Sequence, residues 1–245
     1  MSNVTIVTGG SRGIGAATAK ACAEAGHKVA VNYIAHSNAA DRVVHAIKGA
    51  GGEAVAFKAD TAIEAEVIGM FEAVEKSLGP ISALVNNAGI HGPRTPLDQL
   101  SDGDIERVLN VNVRGYFLCA REAVKRMSTK HGGKGGAIVN VSSGSAALGD
   151  PGAGVIYAAS KGAVNSLTIG LSQEVASEGI RVNAVAPGLT DTDMPETDKL
   201  AAGKAIIPMG RIGQPEEIAA AILWLLSNQA AYVAGANIRI AGGRL

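Results

Sequence analysis

Tyr157 and Lys161 stand four positions apart in Tyr157-Ala158-Ala159-Ser160-Lys161, and on a helix that spacing sets an ammonium beside a phenol. An unperturbed phenol titrates near about pH 10. A neighbouring cation and a helix N-terminus both favour its ionised form, and a tyrosine tuned in this way exchanges a proton with an alcohol or carbonyl oxygen. Most such pairs are ordinary surface neighbours, so what surrounds this one decides its meaning. Upstream, Val139-Asn140-Val141-Ser142-Ser143-Gly144 ends an apolar run in paired hydroxyls. At the carboxyl end of a buried strand those hydroxyls face the ligand crevice of an open α/β sheet, although the start of a loop also favours serine.

A second group lies near the N-terminus, in Thr8-Gly9-Gly10-Ser11-Arg12-Gly13-Ile14-Gly15. A glycine-rich turn between a strand and a helix presents backbone N–H groups and the helix dipole to a phosphate. The Gly-x-x-x-Gly-x-Gly spacing differs from the commoner G-x-G-x-x-G dinucleotide fingerprint, and a tight βα turn is the plainer alternative. NAD selectivity usually rests on a carboxylate at the end of the second strand. Here that stretch reads Val29-Ala30-Val31-Asn32-Tyr33-Ile34, with no acid before Asp41. Arg12 in the turn offers a guanidinium suited to a 2′-phosphate, which favours NADP(H); a solvated turn arginine is the alternative.

These residues need a scaffold, and the composition supplies one. Of 245 residues, 47% are hydrophobic and 18% charged, which excludes intrinsic disorder. Twenty-two basic and twenty-two acidic side chains cancel, so neither nucleic acid nor an anionic membrane is an expected partner. The 32 glycines exceed ordinary usage, and the aromatics are one Trp, three Phe and four Tyr, so small aliphatics must fill the core, as in helix-covered parallel sheets. Cys22 and Cys119 read as buried free thiols of a reducing compartment. The chain runs from Met1 directly into a strand without a leader pattern, and no apolar run reaches the roughly 18–20 residues of a membrane span. A cytoplasmic protein is expected.

Strand-like runs at Val4–Thr8, Lys28–Tyr33, Glu53–Ala59, Ala83–Asn86, Ala137–Val141, Arg181–Ala186 and Ala236–Ile240 alternate with helical patterns. The helical segments are Ile14–Ala25, Ala39–Ala50, Glu64–Leu78, Asp102–Met127, Tyr157–Glu178 and Pro215–Leu226. The alternation predicts an α/β fold, a doubly wound seven-stranded parallel sheet with helices on both faces. Ser101-Asp102 and Gln214-Pro215-Glu216-Glu217 mark helix starts, and Gly26, Gly79 and Gly179 helix ends. Nothing marks a domain boundary, so residues 1–245 are expected to form a single domain. The histidines at 27, 36, 45, 91 and 131 are scattered without ligand spacing, so no metal is expected. His91, just after Asn86-Asn87-Ala88-Gly89, is placed to border a substrate pocket.

Taken in order, Thr8-Gly9 with Gly13 and Gly15, Asp60, Asn86-Asn87-Ala88-Gly89, Asn112, Ser143, Tyr157-x-x-x-Lys161 and Pro187-Gly188 make the chain resemble the short-chain dehydrogenases/reductases. The resemblance is to their shorter, single-domain branch, broadly to 3-oxoacyl reductases and glucose dehydrogenases, and it covers essentially the whole length. It implies a Rossmann-like fold and a pyrophosphate turn at Gly9, Ser11, Arg12, Gly13, Ile14 and Gly15. It places Asn32 and Tyr33 at the adenosine end, with Asp60 on the adenine and Thr61 beside it. It implies cofactor support from Asn87, Ala88 and Gly89, and nicotinamide contacts from Pro187, Gly188, Thr190 and Thr192. Thr190 stands where many members carry a branched apolar residue.

By the same resemblance the catalytic set is Asn112, Ser143, Tyr157 and Lys161, with Ser142 the alternate to Ser143. Tyr157 would be the acid/base, Ser143 would orient the carbonyl, Lys161 would lower the Tyr157 pKa and hold the nicotinamide ribose, and a helix distortion at Asn112 would order a proton-relay water. The implied function is hydride transfer between NADP(H) and a small-molecule carbonyl or secondary alcohol, in a homotetramer. The alternative is a catalytically silent NADP(H)-binding sensor; an extended-branch epimerase would need a larger C-terminal region. Asp193–Met209, with Glu196, Asp198, Lys199 and Lys204, has the length of a substrate lid. Arg121, Lys125, Arg126, Lys130 and Lys134 form a basic run that either docks an acyl carrier protein or coenzyme A or simply complements a helix dipole.

Overall fold

The computed structural model describes residues 3–152, 154–192 and 205–244. Its elements alternate: β1 (Val4–Val7), α1 (Gly13–Glu24), β2 (Lys28–Tyr33), α2 (Ser37–Gly49), β3 (Glu53–Lys58), α3 (Glu64–Leu78), β4 (Ile81–Asn86), α4 (Asp102–Leu109), α5 (Gly115–Met127), β5 (Gly136–Val141), a short α6 (Ser145–Leu148), α7 (Val155–Val175), β6 (Ile180–Pro187), α8 (Pro215–Leu226) and β7 (Asn237–Ile240). The strands form one seven-stranded sheet in the order β3-β2-β1-β4-β5-β6-β7, and every pairing is parallel. The doubly wound Rossmann-like sheet expected from the alternation is therefore present.

Side chains alternate across each strand, so both faces must be covered. Val7, Val31, Val85, Val139 and Val185 pack under α1, α2 and α8 through Cys22, Val43, Ile47, Ile222 and Leu225. Their strand neighbours Ile6, Ala30, Leu84, Ile138 and Val182 point the other way, against Phe71 and Val74 of α3, Leu118 and Met127 of α5 and Val175 of α7. Phe71 is fully buried; cutting it back to alanine would cost about 3–5 kcal/mol. The winding reverses between β1 and β4, and the crevice beyond their carboxyl ends is where such sheets bind ligands.

Helix starts follow the sequence. Ser101 and Asp104 form a capping box before α4, and Gln214 and Glu217 form another before α8, with Pro215 in the first turn. The expected helix Asp102–Met127 is not continuous. Residues Asn110–Arg114 adopt a π-helical turn between α4 and α5, and this extra residue per turn turns Asn112 inward. Gly115 follows because a Cβ there would press 3.0–3.2 Å from Thr61.

Cys22 and Cys119 are buried free thiols, both pushed up to about 12 by burial. The basic run of α5 is engaged within the fold: Arg121 pairs with Glu64 at 2.5 Å, Arg126 with Glu75 and Glu122 at 2.8 and 2.6 Å, and Lys125 with Glu122 at 2.9 Å. These cations tie α5 to α3 and neutralise the nearly buried Glu122. Among the described residues no helix is long and apolar enough to cross a membrane, and no His, Cys, Asp and Glu group has the makings of a metal centre.

Candidate active site

A cavity of about 620 Å³ opens at the carboxyl edge of the sheet. Its lining includes Ile14, Asn87, Gly89, Pro187, Gly188, Thr190 and Thr192; the Ser143, Tyr157 and Lys161 set; and His91, Arg94, Leu148, Asp150, Ile206, Arg239 and Arg244, with Arg239 paired to Ala186 beside Pro187 and Gly188. The sequence places these residues far apart, and the strand ends gather them.

The glycine turn is fixed from beneath. Thr8 Oγ1 accepts from the Asn87 and Ala88 backbone N–H groups at 2.9 and 3.0 Å, and Asn87 Nδ2 donates back to the Thr8 and Gly9 carbonyls at 2.9 and 3.1 Å. Asn32 Oδ1 accepts from Gly9 N at 3.1 Å while its Nδ2 donates to the Ala59 carbonyl at 2.9 Å. The buried Asn32 side chain therefore shapes the turn. Gly9 and Gly13 hold φ of +60° and +52°, and a Cβ on Gly15 would overlap the Gly9 carbonyl oxygen. No side chain caps the N-terminus of α1 and no acid sits in its first turn, so its first N–H groups remain for an anion. That glycine cradle, closed to any side chain yet open to an anion, fits a dinucleotide pyrophosphate.

Ser11, Arg12, Tyr33, Asp60 and Thr61 lie beyond the cavity lining. Arg12 is exposed at the N-cap of α1, with Ser11 and Tyr33 half-buried nearby in sequence. Asp60 Oδ1 accepts from Ala62 N at 2.9 Å, and Thr61 is buried under Gly115. Thr190 donates to the Gly188 carbonyl at 3.1 Å, and the Thr192 methyl lies 3.2 Å from where a Gly13 Cβ would stand. Of the expected lid, 193–204, including Glu196, Asp198, Lys199 and Lys204, lies outside the described residues, whereas Ile206 reaches the cavity.

At the reacting centre the two serines divide. Ser142 Oγ donates to the Asn165 side chain at 2.6 Å and the Lys161 carbonyl at 3.2 Å, anchoring β5 to α7. Ser143 accepts from Ser145 N at 3.1 Å, and its hydroxyl acts on the Tyr157 phenol, drawing its pKa down. Lys161 Nζ, buried, donates to the Val141 carbonyl at 2.8 Å and to Tyr116 Oη at 3.0 Å; it lies 5.8 Å from the Tyr157 ring centroid. Asn112 is fully buried, donating to the Ile90 carbonyl at 2.8 Å and Ser160 Oγ at 3.0 Å and accepting from Ile90 N at 2.9 Å. It thus clamps the β4 exit to α7 from the π-turn, one layer behind the cavity wall.

The electrostatics depart from the sequence expectation. Burial holds the Tyr157 phenol above its ordinary value; Ser143 and Arg94 oppose, and Asp150 reinforces. Burial also brings Lys161 down from 10.5 to about 7. The phenol is thus kept protonated, as a proton donor must be, and the ammonium beneath it sits near neutrality. Sequence reasoning missed Tyr116, which seats Lys161; its place four residues after Asn112 on the same helical stretch was the available signal. It also missed Arg94, Asp150 and Arg244, which sit in segments whose turn-like composition says nothing about direction, and Arg239, on the edge strand β7.

Comparison with known proteins agrees with this geometry. A family model described as "Enoyl-(Acyl carrier protein) reductase" matches residues 9–244. An uncharacterized oxidoreductase of Escherichia coli (strain K12), YgfF, is 53% identical over 98% of this chain and 99% of its own, and a 3-oxoacyl-[acyl-carrier-protein] reductase of Synechocystis is 42% identical over 99% and 96%. A short-chain dehydrogenase from Burkholderia cenocepacia J2315, solved in complex with NADP, superimposes with a TM-score of 0.93 at 35% identity over 99% of this chain and 97% of that one. With a doubly wound sheet, a glycine cradle and a serine–tyrosine–lysine wall in one cavity, the chain belongs to the short-chain dehydrogenase/reductase family of hydride-transferring oxidoreductases.

Proposed function

We propose that residues 1–245 form one domain that reduces a small-molecule ketone, or oxidises the matching secondary alcohol, with NADP(H). The observation that carries this reading is that Ser143, Tyr157 and Lys161 line one cavity, with the Ser143 hydroxyl acting on the Tyr157 phenol and Lys161 one helical turn behind it. When bound, the nicotinamide supplies or takes up the hydride. In reduction, Ser143 and Tyr157 donate hydrogen bonds to the carbonyl oxygen as negative charge grows on it, and the Tyr157 Oη proton moves to that oxygen. Lys161, held by Tyr116 and Val141, is the cation that stabilises the resulting phenolate and the group that restores its proton. In oxidation the same phenolate takes the alcohol proton. Asn112 keeps the β4 exit and α7 in register for this exchange.

Gly9, Gly13 and Gly15 would admit the pyrophosphate and Asn87, Ala88 and Gly89 flank it. Pro187, Gly188, Thr190 and Thr192 would close on the nicotinamide, with Asp60 and Thr61 at the adenine. The absence of an acid at the end of β2 and the exposed Arg12 support NADP(H) over NAD(H), in line with the NADP held by the Burkholderia relative. Phe117 and Ile169, each 51% exposed on α5 and α7, support assembly into a homotetramer, and the buried thiols support a cytoplasmic setting. A panel of ketones assayed with NADPH and NADH side by side tests the reading. Turnover favouring NADPH is expected; no loss of NADPH absorbance with any carbonyl would overturn it.

A further inference from the structure

We propose that His91, held by Asp150, is a positioning residue for Tyr157: its imidazole is the shelf that fixes the plane of the phenol, and its charge couples the phenol's proton transfer to pH. The proposal rests on the reading of Tyr157 as the proton donor.

The His91 and Tyr157 rings are stacked, with centroids 4.7 Å apart and 20° between their planes. On the edge of the imidazole, Nε2 lies 3.4 Å from Asp150 Oδ2, while Nδ1 is buried with no well-formed hydrogen bond, the Gly92 backbone acting on the ring from its own segment. A histidine kept only for packing is expected to satisfy both nitrogens, because a buried polar atom without a partner costs stability. Asp150 has φ of +48°, the one non-glycine residue at positive φ among the described residues, a conformation that also costs stability and persists where its surroundings enforce it. Gly154 completes the arrangement. A Cβ there would overlap the Asp150 carboxylate and come 3.1 Å from His91 Cε1. An orphaned nitrogen, a strained aspartate and a missing side chain thus converge on one contact, imidazole against phenol.

The charged and titratable groups around that contact come from several elements. Arg94 comes from His91's own segment, Asp150 from the loop before α7, Lys161 from one turn along α7, and Ser143 from the end of β5. Burial, then Arg94, lowers the His91 pKa and the Asp150 carboxylate raises it; Arg94 and Asp150 act on Tyr157 with the same signs. Imidazole is therefore neutral at pH 7 and gains its proton only below its usual value of about 6.5. Once charged, it faces the phenol ring as a cation at stacking distance, which favours phenolate and makes Tyr157 a stronger acid. Ketone reduction should then quicken on the acid side.

The test compares His91→Ala and His91→Phe with the wild-type enzyme. The readouts are kcat at saturating NADPH from pH 5 to 9 on the best ketone of the panel, with the NADPH dissociation constant as a check on the fold. His91→Ala removes the shelf and should lower kcat about tenfold with NADPH binding unchanged. His91→Phe restores a ring without a charge, so kcat at pH 8 should recover to within about threefold while the acid-side rise disappears. Asp150→Asn should move that rise to lower pH, because the carboxylate is what raises the His91 value. Wild-type kcat in His91→Ala, or an unchanged acid-side rise in His91→Phe, overturns the proposal. The parent reading fails differently: turnover that survives Tyr157→Phe removes the proton donor itself, whatever His91 does.

Discussion

Two regions of the cavity are built on opposite principles. The coenzyme region is a cradle of backbone, in which Thr8, Asn32 and Asn87 spend their side chains on holding the glycine turn and its hydrogen bonds are met from within. The region around His91 is an assembly of side chains from the β4 exit and the loop before α7, and it tolerates an unpaired nitrogen on His91 and a strained Asp150. A cradle that recognises a constant ligand tolerates little variation; a pocket that selects a substrate is where local stability is given up for placement.

Gly15→Ala breaks the cradle and should have the largest effect on binding. Its Cβ would overlap the Gly9 carbonyl, so the turn must open. Overpacking of this kind costs about 1–3 kcal/mol, and calorimetry should show both a lower melting temperature and NADPH affinity reduced beyond measurement. Unaltered affinity would mean that the turn is not the pyrophosphate site.

Lys161→Met sharpens the contrast, because here function and stability should part. Lys161 titrates at about 7 in the folded chain and 10.5 when unconstrained. Between those values the unfolded chain binds more protons, so this group's contribution to stability rises with pH from 7 toward 10 and is least favourable below 7. Tyr116 Oη still donates to the Val141 carbonyl at 2.9 Å without it, so no new polar orphan appears. At pH 7 the variant should therefore be as stable as the wild type or more so, by up to about 1–4 kcal/mol, with the gap closing as pH rises, while turnover collapses. Thermal melts across pH 7–9.5 would settle the sign. A variant less stable at pH 7 would contradict the buried-cation account.

Arg12→Ala is the smallest change. It should weaken NADPH about tenfold, the scale of one charge-assisted contact, and leave NADH nearly untouched. Equal losses for both coenzymes, measured by fluorescence titration, would remove the specificity argument.

What the sequence made legible follows the same division. The strands and the glycine turn were readable because each is encoded locally, by apolar runs of about six residues or by glycines within one turn. The π-turn at Asn110–Arg114 was legible only through the family resemblance, which implied a distortion at Asn112, since such a turn is stabilised by what Asn112 reaches, namely Ile90 and Ser160 from other parts of the chain. Ser143 was preferred to Ser142 only through the resemblance, because their roles depend on which hydroxyl the strand end turns toward Asn165 and which toward Tyr157. The basic run of α5 read as cations complementing a helix end, with a docking patch as the alternative, and its pairing with Glu64 and Glu75 of α3 depends on packing that the sequence does not display. His91 was placed near the pocket by its neighbours in sequence, but its stacking partner lies sixty-six positions away.

The central claim is that the Tyr157 hydroxyl is the proton donor. Tyr157→Phe keeps the ring, its stack on His91 and the cavity wall while removing one oxygen. Steady-state ketone reduction with saturating NADPH should fall by about 10²–10⁴-fold with the NADPH dissociation constant unchanged; a variant that still turns over near the wild-type rate would contradict the account.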